Sequence, residues 1–191
     1  MSVGDATSAR RLEVGGIGLN VLDDGEGPAV LLLHGFPDSL DLWRHQVPAL
    51  TGSGFRVVGH DWGAALALRR DDWRFFREAF GGGGDLDRYI EDLSRPGRLT
   101  AGLNWYRANI SPESFVSAIS SAVPAVSCPT LGVWSSGDVA LTEHQMTSSA
   151  ESVNGPWRYE RIDDASHWIP VDAPERLNEL LIDFLTGEES R

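Results

Sequence analysis

The segment Gly59-His60-Asp61-Trp62-Gly63 places an acidic residue between two glycines, directly after the apolar run Phe55-Arg56-Val57-Val58. Glycines two positions either side of a central residue allow a tight strand-to-helix turn that pushes the central side chain into the open. With Asp61 at that point, the chemistry is nucleophilic. Attack on an ester would give a reactive anhydride, with little gain. Attack on a saturated carbon that carries a leaving group gives a stable alkyl ester, which a base-activated water must then hydrolyse. His167 is the candidate base. Asp138 is the candidate group that orients the imidazole and balances its charge.

The elements that must position these residues are legible from periodicity. Arg11–Val14 and Ile17–Val21 flank Gly15-Gly16 as a hairpin. Ala29–His34 is a continuous apolar run of strand length, suited to a parallel strand covered on both faces. Asp41–Thr51 reads as a helix with Leu42, Val47 and Leu50 on its apolar side, stopped by Gly52 and Gly54. Phe55–Val58, Thr130–Trp134 and Arg158–Ile162 are further strands, and Ala64–Arg70 fits a helix after the Asp61 turn. Asp172, Pro174 and Glu175 predict a capping box for a last helix that buries Leu177, Leu180, Leu181, Phe184 and Leu185. Alternation of strands and helices predicts an α/β protein: a mostly parallel sheet of about six strands with an N-terminal antiparallel hairpin and helices on both faces. The middle of the chain breaks this rhythm. Trp73, Phe76 and Phe80, then Leu86, Tyr89, Ile90 and Leu93, then Leu103, Tyr106 and Ile110 are spaced as helical faces. Residues 71–124 therefore form a helical insert, while 1–70 and 125–191 form the core. Asp61, Asp138, His167 and the loop His34-Gly35-Phe36-Pro37 all fall after strands, where open α/β sheets gather their chemistry.

On these residues the chain resembles the α/β-hydrolase superfamily, and within it the epoxide hydrolases. The order nucleophile, acid, histidine is that of α/β-hydrolases. His34-Gly35-Phe36-Pro37 matches their oxyanion-hole motif, Gly59-His60-Asp61-Trp62-Gly63 their nucleophile motif, and Leu103-Asn104-Trp105-Tyr106-Arg107 a segment of their cap domain. The resemblance implies that backbone N–H groups of Phe36 and Trp62 hold the oxyanion, each worth about 3 kcal/mol. It implies that Tyr106 donates to the epoxide oxygen as the ring opens. Tyr106 also lies on an apolar helical face, where core packing is its competing role. A small-molecule substrate is implied, and no cofactor.

The departures from the family are specific. Family members carry two strands and two helices between the His-Gly-x-Pro loop and the nucleophile; this chain has room for one of each. A second gap falls after Leu68, where the first half of the cap, with a second ring-opening tyrosine, is missing. A haloalkane dehalogenase would use the same Asp61 and His167. A shortened remnant that keeps the motifs without an assembled site is a third reading.

Composition narrows the partners. The net charge of −12 argues against nucleic acid and anionic membranes. No apolar run approaches the roughly 20 residues of a spanning helix, and the N-terminus lacks the pattern of a signal peptide. All 16 basic residues are Arg, so a catalytic Lys is excluded. One cysteine, Cys128, fits a reducing, cytoplasmic setting. Five scattered histidines offer no metal-ligand spacing. Sheet faces opened by the shortening favour self-association into a homo-oligomer.

Overall fold

A computed structural model describes residues 10–14, 17–35, 38–61, 73, 74, 76–78, 85–98 and 124–187. Its strands are β1 (Arg10–Val14), β2 (Ile17–Asp24), β3 (Ala29–Leu32), β4 (Arg56–Asp61), β5 (Thr130–Gly137) and β6 (Trp157–Ser166). The helices are α1 (Gln46–Gly52), α2 (Leu86–Ser94), α3 (Glu143–Ser148), α4 (Ile169–Asp172) and α5 (Pro174–Thr186), with 3-10 turns at Leu40–Trp43 and Ser149–Ser152.

The expected hairpin forms, with Leu12 opposite Leu19 in the antiparallel pair β1–β2. Strand β4 then inserts between β2 and β3, antiparallel to the first and parallel to the second. Strands β5 and β6 pair in parallel. Among the described residues the six strands form two sheets, β1-β2-β4-β3 and β5-β6, in place of one continuous sheet. Antiparallel and parallel ladders are equal in number, so the sheet is less parallel than the alternation of elements predicts.

Strand β3 departs furthest from expectation. Leu32 is buried, but Leu31 and Leu33 are 61% and 57% exposed. The strand is covered on one face only: nothing among the described residues packs on its other face. Strand β4 runs further than Phe55–Val58 suggested and ends on Asp61 itself, whose backbone pairs with Asn20. Gly59 lies within it, close under the 3-10 turn: a Cβ there would lie 2.8 Å from Cδ2 of Leu40, whose side chain would have to shift.

Helix α5 joins the halves. Leu22, Leu32, Val47, Leu50, Phe55 and Val57 form one core cluster, and Ile162, Ala165, Ile169, Leu177 and Leu180 form another. Leu181 of α5 packs against both. Two polar contacts reinforce the join. The buried Gln46 donates from Nε2 to the Pro170 carbonyl at 3.2 Å, and Asn178 donates to the His45 carbonyl at 3.1 Å. The α5 face is narrower than its pattern, since Leu185 is exposed. The expected capping box is also absent. Ala173 occupies the N-cap, and the Asp172 carboxylate turns back to accept from the backbone and hydroxyl of Ser166. A capping box does form at α3, between Thr142 and Gln145. The expected helix 41–51 is split into the 3-10 turn and α1. A third cluster joins Tyr89 and Leu93 of α2 to Leu42, Trp73, Phe76 and Trp168. No helix among the described residues is long and apolar enough to cross a membrane.

Candidate active site

Strand β5 ends at Gly137, and Asp138 follows immediately. Its loop is fixed by its own backbone. Oδ1 accepts from the N–H groups of Ala140 at 2.7 Å and Leu141 at 2.9 Å. The Asp138 N–H donates to the Ser135 carbonyl at 3.1 Å. The other carboxylate oxygen, Oδ2, lies 3.0 Å from Nδ1 of His167. A carboxylate accepts, so Nδ1–H donates and Nε2 is left with its lone pair. The Asp138 side chain is only 7% exposed, while that of His167 is 35% exposed. Burial alone would push the Asp138 carboxyl up. The Leu141 N–H, the His167 ring and the Ala140 N–H together hold it below the usual carboxylate range.

His167 follows β6 directly, and its neighbours are pinned as firmly. The buried Ser135 hydroxyl donates to the Ser166 carbonyl at 2.5 Å. The Trp168 N–H donates to the Ser166 hydroxyl at 3.1 Å, and the Trp168 ring meets the imidazole edge-on, 5.4 Å between centroids. The imidazole is thus held from Asp138, from its backbone and from one aromatic face.

His167 shares a pocket of 210 Å³ with the loop after β3. His34, Gly35, Asp38, Leu42, Trp43 and Trp168 are among its walls. Nδ1 of His34 is 2.9 Å from the Gly35 carbonyl, so this ring also carries its proton there. The N–H of Asp38 closes the turn onto the Gly35 carbonyl at 3.0 Å. Asp61 ends β4 two residues beyond the last β3–β4 pair, Leu32 with Gly59, at the same sheet end as His34-Gly35. The side chain of Asp61, and Phe36, Trp62 and Tyr106, lie outside the described residues. The structure therefore brings together His167, Asp138 and the His34-Gly35 turn. It places the backbone of Asp61 at the adjoining strand end.

Asp38 is a pocket residue that sequence reasoning passed over. Its place directly after the His-Gly-Phe-Pro loop was the available signal. Burial pushes its carboxyl up, against the pull of the Tyr89 hydroxyl, the charges of His34 and Arg88, and the Trp168 indole. The Tyr89 hydroxyl stops short of hydrogen-bond geometry, and Oδ1 of Asp38 has no hydrogen-bond partner among the described residues. A raised carboxyl favours the native state where it is protonated. That contribution is present below the unfolded carboxylate pKa and is lost as pH rises through the raised native one. Asp38→Asn removes the buried charge and keeps the shape. The variant is expected to melt about 3 °C higher at neutral pH, with the gain shrinking as pH falls into the carboxylate range. Thermal melts at both pH values check this, and a variant that melts lower at neutral pH would contradict it.

Among the described residues no group of three or more His, Cys, Asp or Glu is arranged to hold a metal ion.

Parallel strands whose carboxyl ends carry a hydrogen-bonded Asp–His pair beside a His-Gly turn are the arrangement of an α/β-hydrolase fold. A family profile described as the alpha/beta hydrolase fold matches residues 28–66. Epoxide hydrolase A of Mycobacterium tuberculosis (strain H37Rv) is 24% identical over 97% of this chain and 99% of its own length. Epoxide hydrolase B of the same organism is 63% identical over 38 residues, 20% of this chain and 11% of its own. The crystal structure of epoxide hydrolase A from Mycobacterium thermoresistibile superposes with a TM-score of 0.76 at 21% identity, over 96% of this chain and 99% of that one. Together these show that the chain has the α/β-hydrolase fold. Its alignment with the first relative runs over 323 residues, far more than the 191 present, so that relative carries internal segments this chain lacks.

Proposed function

We propose that the chain hydrolyses small epoxides to diols through an alkyl ester on Asp61. The observation that carries the reading is the Asp138–His167 hydrogen bond of 3.0 Å, in a pocket shared with the His34-Gly35 turn. A carboxylate oxygen of Asp61 attacks a ring carbon, the ring C–O bond breaks, and the departing oxygen takes a proton from Tyr106. His167 Nε2 then removes a proton from water, which adds to the ester carbonyl. The backbone N–H groups of Phe36 and Trp62 hold the oxyanion. Collapse releases the diol, returns the carboxylate, and passes the proton held by His167 back to Tyr106. Residues 71–124 serve as a partial helical cap. The epoxide hydrolase names of the relatives support this substrate class over alkyl halides. In this reading the protein is cytoplasmic, binds neither nucleic acid nor membrane, and its copies associate through the uncovered Leu31 and Leu33.

A second reading, an inactive remnant, is favoured by the break between the two sheets. An adduct trap separates them. His167→Gln should attack without hydrolysing. Incubated with a small aryl epoxide, it should gain the mass of the whole epoxide, and lose that gain when Asp61 is also changed to Asn. A gain of only the alkyl group from an alkyl bromide would move the assignment to a dehalogenase. No adduct from either, on a folded protein, would support the remnant.

A further inference from the structure

The segment 38–44 lines the pocket through Asp38, Leu42 and Trp43, and it is gripped from behind by α2. The grip is ionic as well as apolar. Arg88 of α2 donates from Nη1 to Asp41 at 2.9 Å and to the Ser39 hydroxyl at 3.2 Å. Its Nε reaches Asp85 at 3.2 Å, and Asp92 lies 3.6 Å from Nη1. Arg44 pairs with Asp85 at 2.5 Å, and Ser39 donates to Asp92 at 3.2 Å. The Arg88 guanidinium also stands 5.3 Å from the centre of the Tyr89 ring. The contacts of Arg88 with Asp41 and Ser39, of Ser39 with Asp92 and of Arg44 with Asp85 join distant parts of the chain, so they hold one segment against another and do not merely decorate a helix.

Isolated surface ion pairs contribute little, but networks built on a half-buried Arg are less screened. The Arg88 side chain reaches the 38–44 segment and three acidic groups at once, Asp41 within that segment and Asp85 and Asp92 at α2. We propose that Arg88 is a positioning residue of the pocket, clasping α2 onto segment 38–44 so that the wall made by Leu42 and Trp43 is set by a salt-sensitive ionic network. The proposal rests on the hydrolase reading only for its kinetic consequence.

Amide hydrogen exchange of the full chain tests it without any substrate. Raising NaCl from about 0.1 M to about 1 M shortens the screening length from about 10 Å to about 3 Å. Peptides over 38–44 and 85–94 should then exchange about fivefold faster, while those over 174–186 hold. Arg88→Met should show the fast rates already at low salt and respond no further; Arg88→Lys should fall between. Salt-insensitive exchange in the native chain, or native rates in a folded Arg88→Met, would overturn the proposal. Should Arg88→Met not fold, the native chain and Arg88→Lys still decide. Where epoxide turnover is measurable, Arg88→Met should raise KM severalfold at unchanged kcat; a fall in kcat alone would count against positioning. Absence of turnover would bear on the hydrolase reading and leave the exchange result standing.

Discussion

Asp138→Asn is expected to leave the fold intact and to lower epoxide turnover by about three to four orders of magnitude. The loss follows from proton placement. An asparagine has one acceptor oxygen where the carboxylate has two. The N–H groups of Ala140 and Leu141 both point at Oδ1, so the amide oxygen must stay with them. The NH₂ then faces Nδ1 of His167, which has to accept where it had donated. The imidazole proton moves to Nε2, and the ring can no longer take a proton from water. Nitrogen-15 NMR of the imidazole reads this tautomer change directly, even before a substrate is found. Turnover within tenfold of the native chain would remove Asp138 from the catalytic machinery. The depressed pKa carries a stability consequence of opposite sign to that of Asp38. Its contribution is present above the unfolded carboxylate pKa and is lost as pH falls through the lower native value. Asp138→Asn should therefore flatten part of the acid side of the stability profile.

Leu180→Ala is expected to cost about 3 kcal/mol, a large fraction of a single domain's stability. Leu180 is 2% exposed and sits in the cluster formed by β6, α4 and α5. In a continuous sheet, hydrogen-bond ladders would share the task of holding the halves together. Here no ladder crosses between β3 and β5 among the described residues, and α5 with its contacts to α1 takes that task. Urea unfolding followed by tryptophan fluorescence should show a lower midpoint and a broader transition, as the two sheets begin to separate at different denaturant concentrations. A loss below 1 kcal/mol would mean that the halves are held elsewhere.

Sequence reasoning reached the strands and the loops at their ends because these rest on local patterns. Apolar runs identified β3, β4 and β5, Arg158–Ile162 was read as the strand that is β6, and the residues after β5 and β6 proved to be a hydrogen-bonded pair. It failed where the outcome depends on what packs against a segment. The run Ala29–His34 reads as buried on both faces, yet only the face that carries Leu32 is covered and Leu31 and Leu33 stand in solvent. Asp172 fits a helix cap by spacing, but Ser166 offers it two donors and wins. Asp38 and Arg88 carry no motif of their own. Their roles come from neighbours distant in the chain, which periodicity does not see. Tyr89, spaced on the apolar face of its helix, is buried against Trp168, with ring centroids 5.8 Å apart.

The pocket takes His34 and Gly35 from the four-stranded sheet and His167 from the two-stranded one. Its walls therefore belong to two sheets that share no ladder among the described residues. A molecule seated there touches both and acts as a rivet. By mass action, whatever fills this pocket adds to the cohesion of the whole chain in proportion to its occupancy. On the proposed function the substrate would then double as a structural part, and thermal shift against a panel of small ligands becomes a search for that substrate as much as a test of stability.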